Sequence, residues 1–194
     1  MGKIFYIMGK SASGKDSIYK YLTERKDLCL KKIALYTTRP IRKGETEGEE
    51  YHFVDEETLK KMQQDNKVIE SRAYNTVHGV WTYFTADDGQ VDVEHFHYIG
   101  IGTLASYACL QKYYKEALCP IYVEVEDAER LKRAIKRERK QEKPVYEELC
   151  RRFLADSEDF SEEKIRQVGI KKRFLNIDKE ACRIEIGNYI KDML

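Results

Sequence analysis

The sequence contains few of the residues that dominate fibrous or unstructured chains. It has 3 prolines, 11 glycines and 1 tryptophan in 194 residues, and its 35 basic residues are balanced by 34 acidic ones. Collagens and disordered chains need far more glycine and proline or a strong charge excess, so we expect neither class. The net charge of +1 also argues against a protein that mainly coats nucleic acid, because that task requires an excess of cations.

The five cysteines are odd in number, widely spaced and without a C-x-x-C pair. A disulfide framework or a zinc site would need tighter, even sets, so we expect reduced thiols. No apolar stretch reaches the roughly 18–20 residues of a membrane span, and the N-terminal one is too short for a signal peptide. These absences predict a soluble cytoplasmic protein. The four histidines, which lack metal-ligand spacing, are expected on the surface or in packing: His52, His78, His95 and His97.

Strand-like and helix-like segments alternate along the chain. Residues 3–8 form a short apolar run that predicts a buried strand, and residues 15–26 have helical spacing. Further strands are predicted at residues 33–36, 98–101, 121–125 and 174–177. Further helices are predicted at residues 56–64, 104–114, 130–140 and 147–163 and at the C-terminus. This alternation predicts one α/β domain, with a parallel sheet covered by helices on both faces.

A glycine-rich loop follows the first predicted strand. Residues 9–17 read GKSASGKDS and fit G-x-x-x-x-G-K between a strand and a helix, which is the context of a phosphate-binding loop. Main-chain N–H groups and the helix N-terminus would bind phosphate, and Lys15 would reach the β- and γ-phosphates of ATP. The nucleotide-binding candidates in this loop are Gly9, Ser11, Ala12, Ser13, Gly14, Lys15, Asp16 and Ser17.

One position of the loop departs from its motif. Asp16 stands where the motif has the serine or threonine that coordinates Mg²⁺. A carboxylate is also a hard oxygen ligand, so Asp16 is one candidate magnesium ligand. Alternatively, Asp16 favours the first helical turn by its charge and the Ser17 hydroxyl binds the metal. The sequence leaves both alternatives open.

A second group of residues has the composition of a phosphate site. Arg39 and Arg42 lie three residues apart, and Tyr51 follows nine residues after Arg42. Two guanidinium groups and a phenol that converge would bind one dianionic phosphate, since guanidinium binds oxygen atoms in pairs. The competing interpretation places both arginines on the solvated surface and Tyr51 in the core.

Residues 37–54, TTRPIRKGETEGEEYHFV, closely resemble the nucleotide-monophosphate signature of the guanylate kinase family. The resemblance implies a three-layer P-loop NTPase fold with a monophosphate-binding insert (residues 36–85) and a basic lid (residues 137–152). The core would then comprise residues 1–35, 86–136 and 153–194. In the insert, Arg39, Arg42 and Tyr51 would bind the phosphate of GMP, with help from Tyr83. Glu70 would accept hydrogen bonds from guanine N1–H and the exocyclic amine, and Thr85 would serve the carbonyl side of the base.

The family also has lid arginines that close over the phosphates. Arg133 and Arg137 lie four residues apart in the basic run 130–140, and Arg152 matches the later lid arginine. With Lys15 and Arg39, these three arginines are the implied catalytic residues, because they would neutralise charge on the transferring phosphoryl group. Asn176 resembles the contact on the adenine side. The implied cofactors are ATP and Mg²⁺, and the implied state is a monomer or homodimer that binds small nucleotides and neither nucleic acid nor membrane.

The chain departs from the family pattern at the end of the strand predicted at residues 98–101. Gly100 and Gly102 replace an Asp-x-Asp pair, and Leu35 replaces a serine near the base. These changes keep two alternatives to an ATP:GMP phosphotransferase open. One is a catalytically weak module that binds a phosphorylated ligand through the arginine–tyrosine cradle. The other is a relative that phosphorylates another nucleotide or a sugar phosphate.

Overall fold

The computed structural model describes residues 1–76 and 79–194, so His78 lies outside the described residues. The strands are β1 (Ile4–Met8), β2 (Leu30–Lys32), β3 (Leu35–Thr37), β4 (Tyr51–Phe53), β5 (Val68–Thr76), β6 (Gly79–Ala86), β7 (His97–Gly102), β8 (Leu118–Glu124) and β9 (Arg173–Leu175). The helices are α1 (Lys15–Glu24), α2 (Glu56–Gln64), α3 (Leu104–Tyr114), α4 (Asp127–Glu138), α5 (Tyr146–Asp159), α6 (Glu162–Gln167) and α7 (Lys179–Met193). None of these helices is both long and apolar enough to cross a bilayer.

The core is a five-stranded parallel sheet in the order β2-β7-β1-β8-β9. Side chains alternate between its two faces, as strand geometry requires. Phe5 and Ile7 of β1 pack towards α1 and α7, whereas Ile4, Tyr6 and Met8 pack towards α3 and α6. All five residues are buried. The structure therefore confirms the predicted parallel α/β sandwich.

A second sheet, in the order β4-β3-β6-β5, lies within the segment that connects β2 to β7. Strands β5 and β6 form an antiparallel hairpin that pairs Glu70 with Thr85 and Arg72 with Tyr83. Helix α2 covers this sheet through a small cluster that includes Leu59 and Phe84. The bounds of α2 and α3 are those that the sequence predicts. The four strands of this sheet were mostly missed, because their faces mix polar and apolar side chains.

Two predicted elements are divided in the structure. The strand predicted at residues 33–36 is only partly correct, because β2 ends at Lys32 in the core sheet and the predicted residues enter a strand only at Leu35, where β3 begins in the second sheet. The helix predicted at residues 147–163 ends at Asp159. A new helix, α6, then begins after Ser161, whose hydroxyl accepts a hydrogen bond from the Lys164 main-chain N–H over 3.4 Å. This N-cap stabilises a new helix start and ends the continuous run.

Candidate functional site

The glycine-rich loop connects β1 to α1, as the motif predicts. A Cβ at Gly9 would lie 2.4 Å from the Val123 carbonyl oxygen, so no larger residue fits without movement of the backbone. Gly14 has a φ of +88°, a left-handed conformation that favours glycine, and it caps α1. The loop therefore leads into a helix N-terminus, whose free N–H groups and dipole favour an anion.

Lys15 and Asp16 begin α1. The Lys15 Nζ atom lies 3.1 Å from an Asp16 carboxylate oxygen, and the Asp16 side chain is 79% exposed. Ser17 is half-buried one residue further on. An exposed carboxylate in the first turn is compatible both with metal binding and with simple helix stabilisation, so the two alternatives for Asp16 stay open.

Asn176, which directly follows β9, is hydrogen-bonded to the phosphate loop. Its side chain is buried and donates a hydrogen bond to the Ser13 carbonyl oxygen over 2.7 Å. The same amide nitrogen would lie 2.4 Å from a Cβ at Gly14. The Oδ1 atom of Asn176 is buried without a partner among the described residues. The structure shows the hydrogen bond of Asn176 to the loop. A contact of Asn176 with adenine stays a prediction.

Sequence reasoning missed a buried ion-pair cluster that holds the same loop. The Arg130 side chain is 1% exposed and pairs with Asp127 and, over 3.1 Å, with Asp156. Arg130 Nε donates to the Ser11 carbonyl oxygen over 3.0 Å, and Asp156 accepts from the Ser11 main-chain N–H over 2.7 Å. The loop is thus attached to both α4 and α5. The available signal was helical spacing, since Arg130 shares the buried face of α4 with Ala134.

The three predicted lid arginines occupy two different places. Arg137 and Arg152 line one cavity of about 240 Å³, which reaches Ser11 of the phosphate loop. Arg152 also donates to Glu148 over 2.6 Å. Arg133 instead donates to the main-chain carbonyl of Asn176 over 3.0 Å. The structure therefore brings two of the three arginines together beside the phosphate loop and holds the third at the end of β9.

The second sheet assembles the arginine–tyrosine cradle. Arg39 is 3% exposed, and its guanidinium lies 5.0 Å from the centre of the Tyr51 ring. The Tyr51 and Tyr83 rings are 5.5 Å apart. Arg42 is different, because its exposed side chain lies against Trp81, 5.9 Å from the ring centre. The structure therefore brings Arg39, Tyr51 and Tyr83 together and leaves the Arg42 side chain at the rim.

The carboxylate of Glu45 is hydrogen-bonded to the Arg39 guanidinium of this cradle. Glu45 accepts two hydrogen bonds from Arg39, over 2.7 and 2.5 Å, and one from the Arg42 main-chain N–H over 2.8 Å. The Arg39 hydrogen bonds lower the pKa of Glu45 to about 2. Reciprocally, Glu45 raises the pKa of Arg39. Burial raises the pKa of Tyr51, so its phenol stays protonated and can donate a hydrogen bond.

The predicted base-recognition residues lie side by side in the β5–β6 hairpin. Thr85 donates a hydrogen bond to Glu70 Oε1 over 2.9 Å, and the Glu70 side chain is 2% exposed. Glu70 also pairs with Arg72, whose Nε lies 3.1 Å from Oε2. Arg72 then reaches the core domain, where it donates to the Thr103 hydroxyl over 3.4 Å. Sequence reasoning missed Arg72, although a spacing of two on a strand places it on the same face as Glu70.

The two glycines that replace the acid pair face a tyrosine. A Cβ at Gly100 would lie 3.0 Å from the Tyr6 ring, and a Cβ at Gly102 would lie 2.0 Å from the Tyr6 hydroxyl oxygen. The Tyr6 side chain therefore fills the space above the end of β7. Its hydroxyl is buried near Ser106 and lacks a hydrogen bond of ordinary geometry. Burial raises its pKa.

The glycine-rich loop and the residue that Arg72 contacts lie at the same edge of the core sheet. Met8 of β1 pairs with Gly102 of β7. The phosphate loop begins directly after Met8, and Thr103, which binds Arg72, directly follows Gly102. Carboxyl ends of parallel strands are the usual ligand edge of such sheets. A parallel sheet whose central strand leads through G-x-x-x-x-G-K into a helix defines the class of P-loop α/β proteins.

Comparison with known proteins gives the family within this class. The guanylate kinase family model matches residues 1–100, about half of the chain. The chain is 43% identical over 70 residues to a guanylate kinase from Sphingopyxis alaskensis, covering 36% of this chain and 31% of that protein. It is 31% identical over 97 residues to one from Aliivibrio fischeri, covering 47% of this chain and 46% of that protein. The chain belongs to the guanylate kinase family.

A solved structure extends the likeness to the whole fold. The crystal structure of guanylate kinase from Anaplasma phagocytophilum matches with a TM-score of 0.69 at 19% identity, over 99% of this chain and 86% of that one. At this identity the match concerns the fold alone. In sequence, the two curated relatives named above are matched over only about a third to a half of their length.

Proposed function

We propose that this protein is a nucleoside monophosphate kinase that transfers the γ-phosphate of ATP to GMP, giving GDP and ADP. The observation that carries the proposal is the hydrogen-bonded chain from Glu70 through Arg72 to Thr103. It joins the base-recognition residues to the sheet edge from which the phosphate loop departs. Donor and acceptor nucleotides bound to these two parts would face the same cleft, as phosphoryl transfer requires.

The residues divide into those that bind the donor and those that bind the acceptor. The main-chain N–H groups of the loop and Lys15 would bind the ATP phosphates, and Arg137 and Arg152 would neutralise charge on the transferring group. Arg39, Tyr51 and Tyr83 would bind the phosphate of GMP, with Arg42 joining from the rim. No general base is needed, because the attacking phosphate is already anionic. Closure of the insert and the lid would exclude water and so suppress hydrolysis of ATP.

The oxygen donors at the start of α1 fit Mg²⁺. Magnesium binds proteins through one or two oxygen ligands and completes its shell with phosphates and water. Asp16 offers an exposed carboxylate next to Lys15, and Ser17 offers a hydroxyl one residue further on. The ion would be held by Asp16 or, in the other alternative, by Ser17, and it would neutralise charge on the nucleotide phosphates when bound.

The guanine selectivity of the proposal rests on Glu70 and Thr85. A buried carboxylate accepts from the two donors of guanine, whereas adenine would leave it facing an acceptor edge. The proposal also includes a cytoplasmic location and a monomer or homodimer. The five free cysteines support the location.

A coupled assay over GMP, AMP, CMP and UMP tests the proposal. We expect turnover with GMP above the other three, and loss of turnover in Lys15→Ala. Lys20→Ala, which removes an exposed lysine from the same helix, is the matched control and should retain activity. Glu70→Ala should mainly weaken the selection of GMP. Full activity of Lys15→Ala would refute the assignment.

A calorimetric titration with ATP·Mg²⁺ separates the enzyme from a phospho-ligand binding module. We expect binding, because the phosphate loop retains Lys15. Absence of any nucleotide binding, together with binding of a phosphorylated ligand at the Arg39 cradle, would instead favour the module.

A further inference from the structure

Arg72 belongs to a strip of side chains on one face of the second sheet. Alternate residues of a strand share a face, so Glu70 and Arg72 point the same way from β5. Their partners on β6 are Thr85 and Tyr83. The strip therefore runs from the base-recognition pair Glu70–Thr85 to Tyr83, which lies in the phosphate cradle beside Tyr51. Same-face residues are about 7 Å apart along a strand, so Arg72 lies about that far from Glu70, at the end of the strip that meets the phosphate cradle.

The Arg72 guanidinium has hydrogen-bond donors left over. It carries five N–H bonds. Among the described residues it donates one to Glu70 Oε2, one to Glu70 Oε1 over 3.4 Å and one to the Thr103 hydroxyl. Two N–H bonds have no acceptor among the described residues, and the side chain is 19% exposed. These two donors are therefore available to a ligand acceptor, which would take the place of water.

We propose that Arg72 is a further substrate-contacting residue, which donates these two N–H bonds to acceptor atoms of the nucleoside monophosphate between its base and its phosphate. The inference rests on the proposed function, since it names a second contact within the same acceptor site. The candidate acceptors are the ring nitrogen next to the guanine amine and the ribose oxygens. Arg72 remains on Glu70 through its Nε atom, so the carboxylate and the guanidinium bind the nucleotide as one unit.

The charge of the site supports this role. Gly100 and Gly102 carry no side chain, and Tyr6 fills the space above them. The ion pair of Glu70 and Arg72 supplies the charged groups next to these positions. Its net charge is zero, with an acceptor and a donor next to each other. Guanine presents the matching order, because its N1–H and amine donors are followed by the ring acceptor N3.

The Arg72→Met variant tests the inference, because it keeps the length of the side chain and removes the donors. A hydrogen bond that involves a charged group is worth roughly 10- to 100-fold in affinity. We expect the KM for GMP to rise by roughly that factor, with little change in the KM for ATP. Arg72→Lys should recover only part of the loss, since an ammonium lacks the planar fork. Arg25→Met removes another bidentate arginine–carboxylate pair, remote from the site, and is the matched control.

A double-mutant cycle distinguishes direct contact from an effect through Glu70. In a Glu70→Gln background, a direct contact predicts that Arg72→Met still raises the KM for GMP. Disappearance of the effect in that background would overturn the inference, as would an unchanged KM in the single variant. Thermal unfolding of each variant shows whether it folds. If Arg72→Met does not fold, the test rests on the KM for GMP of Arg72→Lys. Failure of the wild-type protein to bind or phosphorylate GMP would instead refute the proposed function.

Discussion

Removal of the Asp156 carboxylate should loosen the phosphate loop from the helices that flank it. Asp156 accepts from the Ser11 main-chain N–H over 2.7 Å and pairs with Arg130 over 3.1 Å. In Asp156→Ala, the nearly fully buried Arg130 guanidinium would keep Asp127 as its one carboxylate partner among the described residues. The Ser11 N–H would lose its acceptor.

The size of the effect follows from these two losses. Breaking a buried ion pair from one side costs about 3–5 kcal/mol. Leaving a main-chain donor unpaired costs about 1–3 kcal/mol. Both values apply here at their lower end, because Asp127 still balances Arg130 and the Asp156 side chain is 16% exposed to water. We therefore expect a loss of about 4 kcal/mol in the free energy of unfolding, the sum of the two lower ends, or about 8–16 °C in Tm for a chain of this size.

Thermal and urea unfolding measure this loss. Asp156→Asn keeps an oxygen for the Ser11 N–H and removes only the charge, so its Tm should lie between those of Asp156→Ala and the wild type. Asp159→Ala, at an exposed aspartate on the same helix, is the control and should leave Tm unchanged. A Tm of Asp156→Ala within about 2 °C of the wild type would refute the reasoning, because that shift corresponds to only about 1 kcal/mol.

Two further predictions concern stability. The pKa of Glu45 falls from 4.5 to about 2 on folding, mainly through Arg39, so this carboxylate stabilises the protein above pH 4.5 and loses that effect as the pH falls towards 2. Glu45→Gln should therefore lose stability less steeply than the wild type in urea unfolding across this interval, and parallel curves would contradict the assignment. Gly102→Ala should destabilise the protein by about 1–3 kcal/mol, because its Cβ would lie 2.0 Å from the Tyr6 hydroxyl oxygen. Tyr6→Phe should recover part of that loss, because it removes the hydroxyl that the new Cβ would contact. If the two changes in the free energy of unfolding simply add, the two groups are not in contact.

The elements that the sequence predicts correctly are those with a strong period or a clear boundary. Helices α2 and α3 follow this rule, since Asp55 and Thr103 cap them and each begins directly after its cap. Strand β1 is recognisable because all of its residues are buried. The hairpin of β5 and β6 was missed because its outer half is largely exposed, so burial imposes little apolar pattern on it.

The same distinction separates the parts of the candidate site that the sequence predicts from those that it does not. The phosphate loop is local, so the spacing of Gly9, Gly14 and Lys15 is enough to predict it. Contacts between distant segments are invisible to spacing. Arg72 meets Thr103 across 31 positions, and no sequence period links them. Arginines within the basic run are also chemically alike, and only the fold buries Arg130 and leaves others exposed.

Internal groups already pair with residues proposed to bind the acceptor nucleotide. Glu45 is hydrogen-bonded to the Arg39 guanidinium, where the acceptor phosphate would bind, so phosphate binding there is an exchange of hydrogen bonds and contributes only the difference between the two sets. Glu70 and Arg72 differ, because Arg72 keeps its Nε hydrogen bond to Glu70 and the pair would bind the base as one unit. A nucleotide with a phosphate but the wrong base would gain the exchange at Arg39 and leave the Glu70–Arg72 pair without matching partners. Selectivity among nucleotides would therefore come from the base and not from the phosphate.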